Sequence, residues 1–251
     1  MSFGLSRGKQ LDPAPGEVGF TNADLPPLPD DLLENPEAAR LDLDAWFPAR
    51  AQDPSRPLDL EIGPGKGTFL LQQAELEPGT DFLGIEWAKE FFTYAADRVR
   101  RRGLTNVRLL HADATEFLRW RVGDGVLRVI HLYFSDPWPK KRHHKNRVVQ
   151  DAFLTQAHRT LMPGGELRVV TDHADLWAWD EAHFERWCSP APDADTPGYD
   201  GPRPAFERQT FDRPESAGEH ELVGTNFERK YREEGRDFYA VTLLKPAGSE
   251  A

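Results

Sequence analysis

Cysteine is almost missing from this 251-residue chain: Cys188 stands alone, so no disulfide can form within it. With no base beside it in sequence and no resolving thiol, it reads as a buried or incidental group rather than a nucleophile. Nor does any apolar run approach the roughly eighteen residues that a bilayer-crossing helix needs. The opening Met1-Ser2-Phe3-Gly4-Leu5-Ser6-Arg7-Gly8-Lys9 lacks the apolar middle of a secretory signal. Together these absences point to a soluble, cytoplasmic protein. Positive charge is in deficit too. A net charge of −11 excludes a general nucleic-acid coat protein, which would need non-specific attraction to phosphates. No internal repeat is visible.

What is present is enough for one large domain or one with a decorated end. Hydrophobic residues make up 39% of the chain, and seven Trp and fifteen Phe add large units of buried surface. Charge is unevenly placed. Acid gathers in 24–44 and 193–221, cations in 98–102, 140–147 and 229–236. Each cluster fits a solvated helix face, and for 98–102 that reading is as good as any contact. A local basic face on an acidic body nevertheless suits a structured RNA held at one place.

Residues 1–54, rich in Pro, Asp and Glu, read as an N-terminal arm and a covering segment; the main domain is expected over 55–251. Strand and helix alternate from Pro57 to Thr171. Strands are expected at Leu58–Ile62, Phe82–Glu86, Val107–Leu110, Val129–Phe134 and Leu167–Val170. Helices are expected from the glycine turn to about Leu76, from Lys89 to about Arg101, in a short run opening at Asp113, and from Asp175 to Trp187. Val149, Phe153, Ala157 and Leu161 form an apolar stripe ending at Pro163-Gly164-Gly165. A surface excursion with six prolines spans 190–214, and a helix over 225–234 precedes a last strand at Phe238–Leu244. Such alternation calls for a mostly parallel sheet with helices on both faces.

Gly63-Pro64-Gly65-Lys66-Gly67 lies between strand and helix, where glycines bring backbone close to a ligand. Alone, it is also an ordinary turn. Glu86 ends the next strand about twenty residues on, where an acid holds ribose hydroxyls, and Asp113 follows the third strand. Asp113 equally fits a helix N-cap. Thr68 breaks the Gly-x-Gly-x-x-Gly spacing of nicotinamide dinucleotide sites, and Lys66-Gly67 breaks the P-loop pattern. Glu61, inside a strand, is a costly acid unless paired. Glu61, Glu86, Asp113 and Asp136 would repel a pyrophosphate and attract a sulfonium, which favours S-adenosylmethionine.

The segment Phe134-Ser135-Asp136-Pro137-Trp138-Pro139-Lys140-Lys141-Arg142-His143-His144-Lys145-Asn146-Arg147 follows an apolar strand, at the sheet end where ligands bind. Asp136 offers an acceptor for a base edge. Trp138 or Phe134 offers a stacking surface, though a core role suits Trp138 nearly as well. Lys140, Lys141, Arg142, Lys145 and Arg147 offer a grip on backbone phosphates. His143 and His144 have no partners at ligand spacing, so no metal is expected.

Taken in order, Leu60-Glu61-Ile62-Gly63-x-Gly65-x-Gly67, Gly84-Ile85-Glu86, Ala112-Asp113-Ala114, Phe134-x-Asp136-Pro137-Trp138-x-Lys140-Lys141-Arg142-His143, Thr171-Asp172 and Thr225-Asn226-Phe227-Glu228 resemble the motif set of the bacterial tRNA (guanine-N7-)-methyltransferases. The likeness covers about 58–245, and Ser2-Phe3-Gly4…Arg7-Gly8-Lys9 is similar to that family's arm. The glycine loop is common to many methyltransferases; the Asp-Pro-Trp segment and Thr-Asn-Phe-Glu are far more specific. The resemblance implies a Rossmann-like class I methyltransferase fold with a seven-stranded sheet. It implies methylation of guanine N7 at position 46 of the tRNA variable loop from S-adenosylmethionine. It places Glu61, Gly63, Gly65, Gly67, Glu86, Asp113 and Asp136 at the donor and Asp136 at the catalytic position. Lys140, Asp172, Thr225, Asn226, Phe227 and Glu228 fall at the substrate, and no obligatory protein partner is evident. The 190–214 segment matches nothing in that pattern. The alternatives are a methyltransferase acting on another RNA or a small molecule, a non-catalytic RNA-binding module, and, last, an NAD-linked oxidoreductase.

Overall fold

A computed structural model describes residue 5 and residues 8–247; the expected arm residues Ser2, Phe3, Gly4 and Arg7 lie outside the described residues. The chain divides into two compact units, Met1–Gly123 with Arg213–Asn226, and Asp124–Asp212 with Phe227–Ala251.

In the first unit, strands β1 (Gly19–Thr21), β2 (Leu58–Ile62), β3 (Asp81–Glu86) and β4 (Val107–His111) lie in the order β1-β4-β3-β2, each pairing parallel. Every residue of β2 and β3 is buried, so both faces of the sheet are covered, as the unbroken apolar runs require. Helices α1 (Thr68–Leu76), α2 (Lys89–Arg102) and α3 (Ala114–Arg121) follow the three longer strands. Leu70, Leu71, Phe82, Phe92, Val99 and Leu109 share one apolar cluster with Val18 of the N-terminal segment. That segment is clamped down by buried arginines. Arg108 donates to the Trp46 carbonyl and Arg121 to those of Ala39 and Pro26, while Phe47 is fully buried.

The arginines of α2 are largely spent within the unit. Arg100 and Arg101 pair with the buried Asp97, Arg102 pairs with Glu75, and Arg98 donates to the Lys66 carbonyl. The 98–102 cluster is therefore a helix face whose Arg100, Arg101 and Arg102 are tied to carboxylates of the same unit and whose Arg98 is tied to a carbonyl.

In the second unit, β5 (Leu127–Tyr133) pairs parallel with β6 (Leu161–Thr171); β8 (Tyr239–Leu244) runs antiparallel to β6, and β7 (Glu207–Gln209) antiparallel to β8. Helices α4 (Asp151–Thr160), α5 (Ala174–Trp187) and α6 (Asn226–Glu233) complete it, α6 beginning on the last residue of the first unit. Two expectations change here. The stripe from Val149 does not run as helix to Pro163. Helix α4 stops at Thr160, and Leu161 already pairs with Leu127 while Glu166 pairs with Val129. Residues 162–165 are thus an irregularity inside β6, a bulge that the Pro-Gly-Gly signal marks but does not place.

The second change is that 190–214 is more than a surface excursion. Ala205 and Phe206 are fully buried, with Phe206 against Trp187 and His158, and β7 lies in this stretch. Among the described residues there are eight strands where seven were expected. The two that went unannounced, β1 and β7, are three residues long, too short for a periodicity to register. The α/β class stands, with strands alternating with helices and pairing parallel from β1 through β4 and between β5 and β6.

Candidate functional site

At the carboxyl end of β2 the chain leaves Glu61 for a loop in which Gly63, Gly65 and Gly67 all have positive φ, at 70°, 55° and 67°. At Gly67 a side chain would meet neighbours. A Cβ there would lie 2.8 Å from Leu71 Cδ1 and 3.1 Å from Ala95 Cβ, in a backbone conformation L-residues avoid. The neighbouring strand end holds the loop, for Glu86 accepts from the Gly65 N–H at 2.9 Å and from the Ala88 N–H at 2.8 Å.

Glu61 itself is buried, and its Oε2 has no hydrogen-bond partner. Burial, then repulsion from Glu86, pushes the carboxyl up to about 8, against a backbone bond from Leu70 that favours the charged form. An unpartnered acceptor beside a second carboxylate is a place for a cation. Asp113 caps α3, taking the Thr115 and Glu116 N–H groups and the Thr115 hydroxyl on Oδ1 alone, and is exposed. The cap and the ligand readings of Asp113 are thus compatible, one oxygen each. The structure also brings Asn226 to this loop, where its Nδ2 donates to Thr68 Oγ1 at 2.7 Å.

In the second unit β5 ends in a tight turn. Phe134 and Trp138 have φ of 55° and 43°, left-handed values that cost an L-residue about 1–2 kcal/mol each. Between them Asp136 is exposed and makes no hydrogen bond among the described residues. The Phe134 N–H donates to the Val170 carbonyl, and its ring packs against Tyr231 and Phe238 at 6.1 and 5.8 Å. Of the two stacking candidates, Phe134 is thereby committed to an aromatic cluster. Trp138 is half-buried, edge-on to His143 at 5.8 Å. Lys140 and the two-turn 3-10 helix Lys141–Asn146 present Lys140, Lys141, Arg142 and Lys145 to solvent.

Arg147 departs from expectation. Its side chain is 1% exposed, its Nε donates to the Pro137 carbonyl at 3.0 Å, and its guanidinium pairs with Asp175. A group so enclosed does not hold a phosphate. Near it Asp180 is buried with Oδ1 unpartnered; burial pushes that carboxyl up to about 8, Arg147 opposing and Glu181 adding to the shift.

Of the remaining expected substrate residues, Asn226 and Phe227 are exposed, whereas Thr225 and Glu228 are buried, Glu228 paired with Arg232 at 2.8 Å. Asp172 is paired with Arg236 at 2.5 Å, and Arg236 lies 4.1 Å over the Tyr231 ring. Burial, then Asp172, holds the Tyr231 phenol above its ordinary range, with Asp136 a lesser contributor. Sequence reasoning passed over Tyr231, Arg236, Trp87 and His111. Arg236 sat inside a noted basic run. Trp87, 72% exposed, and His111, bonded to the Trp87 carbonyl, carried only the signal of following or ending a strand.

A protein with this fold and this acid-lined glycine loop is a methyltransferase by its comparisons too: the family model described as "Putative methyltransferase" matches residues 55–192. The "tRNA (guanine-N(7)-)-methyltransferase" of Halorhodospira halophila is 37% identical over 70% of this chain and 77% of its own. That of Rhodopirellula baltica is 32% identical over 91% and 87%. That of Alkalilimnicola ehrlichii is 45% identical over a shorter stretch, 57% of this chain and 59% of its own. The chain belongs to the tRNA (guanine-N(7)-)-methyltransferase family.

Proposed function

We propose that this protein transfers the methyl group of S-adenosylmethionine to N7 of guanine 46 in the variable loop of tRNA, in the cytoplasm. Residues 55–251 form the methyltransferase domain in this reading, with 1–54 as arm and cover. The observation that carries it is Glu61: a buried carboxylate with an unpartnered oxygen, at the mouth of a glycine loop, in a member of this family. An ammonium group there would supply the missing donor and offset the desolvation that now favours the protonated acid. The residues present fit the donor.

S-adenosylmethionine supplies a methyl group on a positively charged sulfur. Glu61 accepts from its ammonium group, while Glu86 and Asp113 accept from the nucleoside. Gly63, Gly65 and Gly67 let the backbone close on it. Guanine N7 carries a free lone pair at neutral pH, so no proton has to leave before attack and no general base is needed. The chain's task is placement. Asp136 orients the purine, either by facing the positive charge that develops on the ring or by accepting from guanine N1–H and the 2-amino group. Lys140, Lys141, Arg142 and Lys145 hold phosphates, which fixes register without reading sequence. Asp172 and the 225–228 stretch line the substrate side, and Trp138 supplies the stacking face.

The test is to map N7-methylguanosine in tRNA from cells with and without the gene. Loss confined to one variable-loop nucleotide is the expected outcome. Retention of that mark, or loss from another RNA, overturns the reading.

A further inference from the structure

The turn that carries Asp136 is poorly suited to hold its own shape. Two non-glycine aromatic residues in left-handed conformation flank it, Asp136 makes no hydrogen bond among the described residues, and Pro137 and Pro139 have no N–H to give. Something outside the turn has to over-determine it. On one side the Phe134 N–H and ring are fixed by β6 and by Tyr231 and Phe238. On the other side the group that reaches in is Arg147. Its Nε donates to the carbonyl of Pro137, the residue next to Asp136, and its Nη2 pairs with Asp175 at the start of α5. Its guanidinium lies 5.3 Å from the Trp179 ring, and Gln150 donates to the Arg147 and Lys145 carbonyls, fixing the backbone that carries it.

We infer that Arg147 is a positioning residue for methyl transfer, bracing the Asp136–Trp138 turn against α5 rather than contacting RNA. The inference rests on the assignment of Asp136 to the reacting base. A planar fork with two donors aimed in fixed directions serves this geometry. Lysine has a single flexible donor centre and cannot meet Pro137 and Asp175 together in the same way. Displacement of a reacting group by about 1 Å can cost on the order of 100-fold in rate.

The experiment uses the full chain with tRNA transcripts and measures kcat, tRNA Kd across a salt series, and binding of S-adenosylhomocysteine. Arg147→Ala is expected to lower kcat by about 100-fold and Arg147→Lys by about 10-fold, with donor-site affinity, tRNA Kd and salt slope unchanged. Millimolar ethylguanidinium is expected to restore part of the kcat of Arg147→Ala and to do nothing for Lys140→Ala. If Arg147→Ala does not fold, Arg147→Lys and Asp175→Asn carry the test, the latter expected to lower kcat several-fold. Wild-type kcat in folded variants overturns the inference, as does a weaker tRNA Kd with a shallower salt slope, the mark of a phosphate contact. An absence of methyl transfer by the wild-type protein would instead strike the proposed function.

Discussion

Folding takes the Glu61 carboxyl out of water and sets it near Glu86, and both effects favour its neutral form. A carboxyl whose folded-state pKa lies above its unfolded value binds a proton more tightly when folded. Its contribution to stability is therefore greatest below about pH 4 and is lost as pH rises to about 8. Asp180 follows the same sign over the same window. Glu61→Gln is expected to raise the melting temperature more at pH 8 than at pH 5, while weakening donor binding at least about tenfold by calorimetry. Unchanged donor affinity in that variant would remove Glu61 from the binding site. Asp180→Asn should flatten the pH dependence of melting without touching donor affinity. At the proposed RNA face, Lys140→Ala is expected to weaken tRNA binding and lower the salt slope by about 0.7–0.9, leaving S-adenosylhomocysteine affinity intact. An unaltered slope would count against that lysine.

Among the elements, those with a long apolar run or a clear punctuator were legible. Strand β2, helix α1 as far as Leu76, the end of β3 at Glu86 and the close of α5 at Trp187 all lie where pattern and turn residues put them. The glycine loop was legible because three residues there need positive φ, and only glycine meets that cheaply. Gly67→Ala tests this. It adds a left-handed cost of about 1–2 kcal/mol and presses on Leu71 and Ala95, so a lower melting temperature and weaker donor binding are expected together. What was not legible depends on contacts distant in sequence. Nothing local distinguishes Arg147, enclosed by Pro137 and Asp175, from Lys145, which faces water two residues earlier. Asp172 likewise gives no sign that Arg236 will cover it. The 190–214 stretch hid its core anchor behind prolines. Phe206→Ala should cost about 3–5 kcal/mol by denaturant titration, because it empties a site beside Trp187 and His158.

For the whole molecule, a net charge of −11 coexists with a short exposed basic face because many other arginines are neutralised internally. Arg100, Arg101, Arg102, Arg147, Arg186 and Arg236 each pair with a carboxylate. RNA attraction therefore falls to few side chains, and affinity for unstructured RNA should be low and vanish at modest salt. The lone thiol tells a similar story of enclosure. Burial pushes Cys188 up to about 11, so its thiolate is scarce at neutral pH. Alkylation by iodoacetamide at pH 7.5 should be much slower than that of a free thiol, and rapid labelling would show that the end of α5 opens.

The Glu86 carboxylate, which ties Gly65 and Ala88 with its two oxygens, has an awkward corollary for genetics. A lesion at residue 86 would slacken two stretches of backbone at once as well as erase an acceptor. Enzymologists reading such an allele would see a blend of disorder and lost affinity. Only a glutamine replacement, which keeps one oxygen and trades the other for a donor, can begin to pull the two apart.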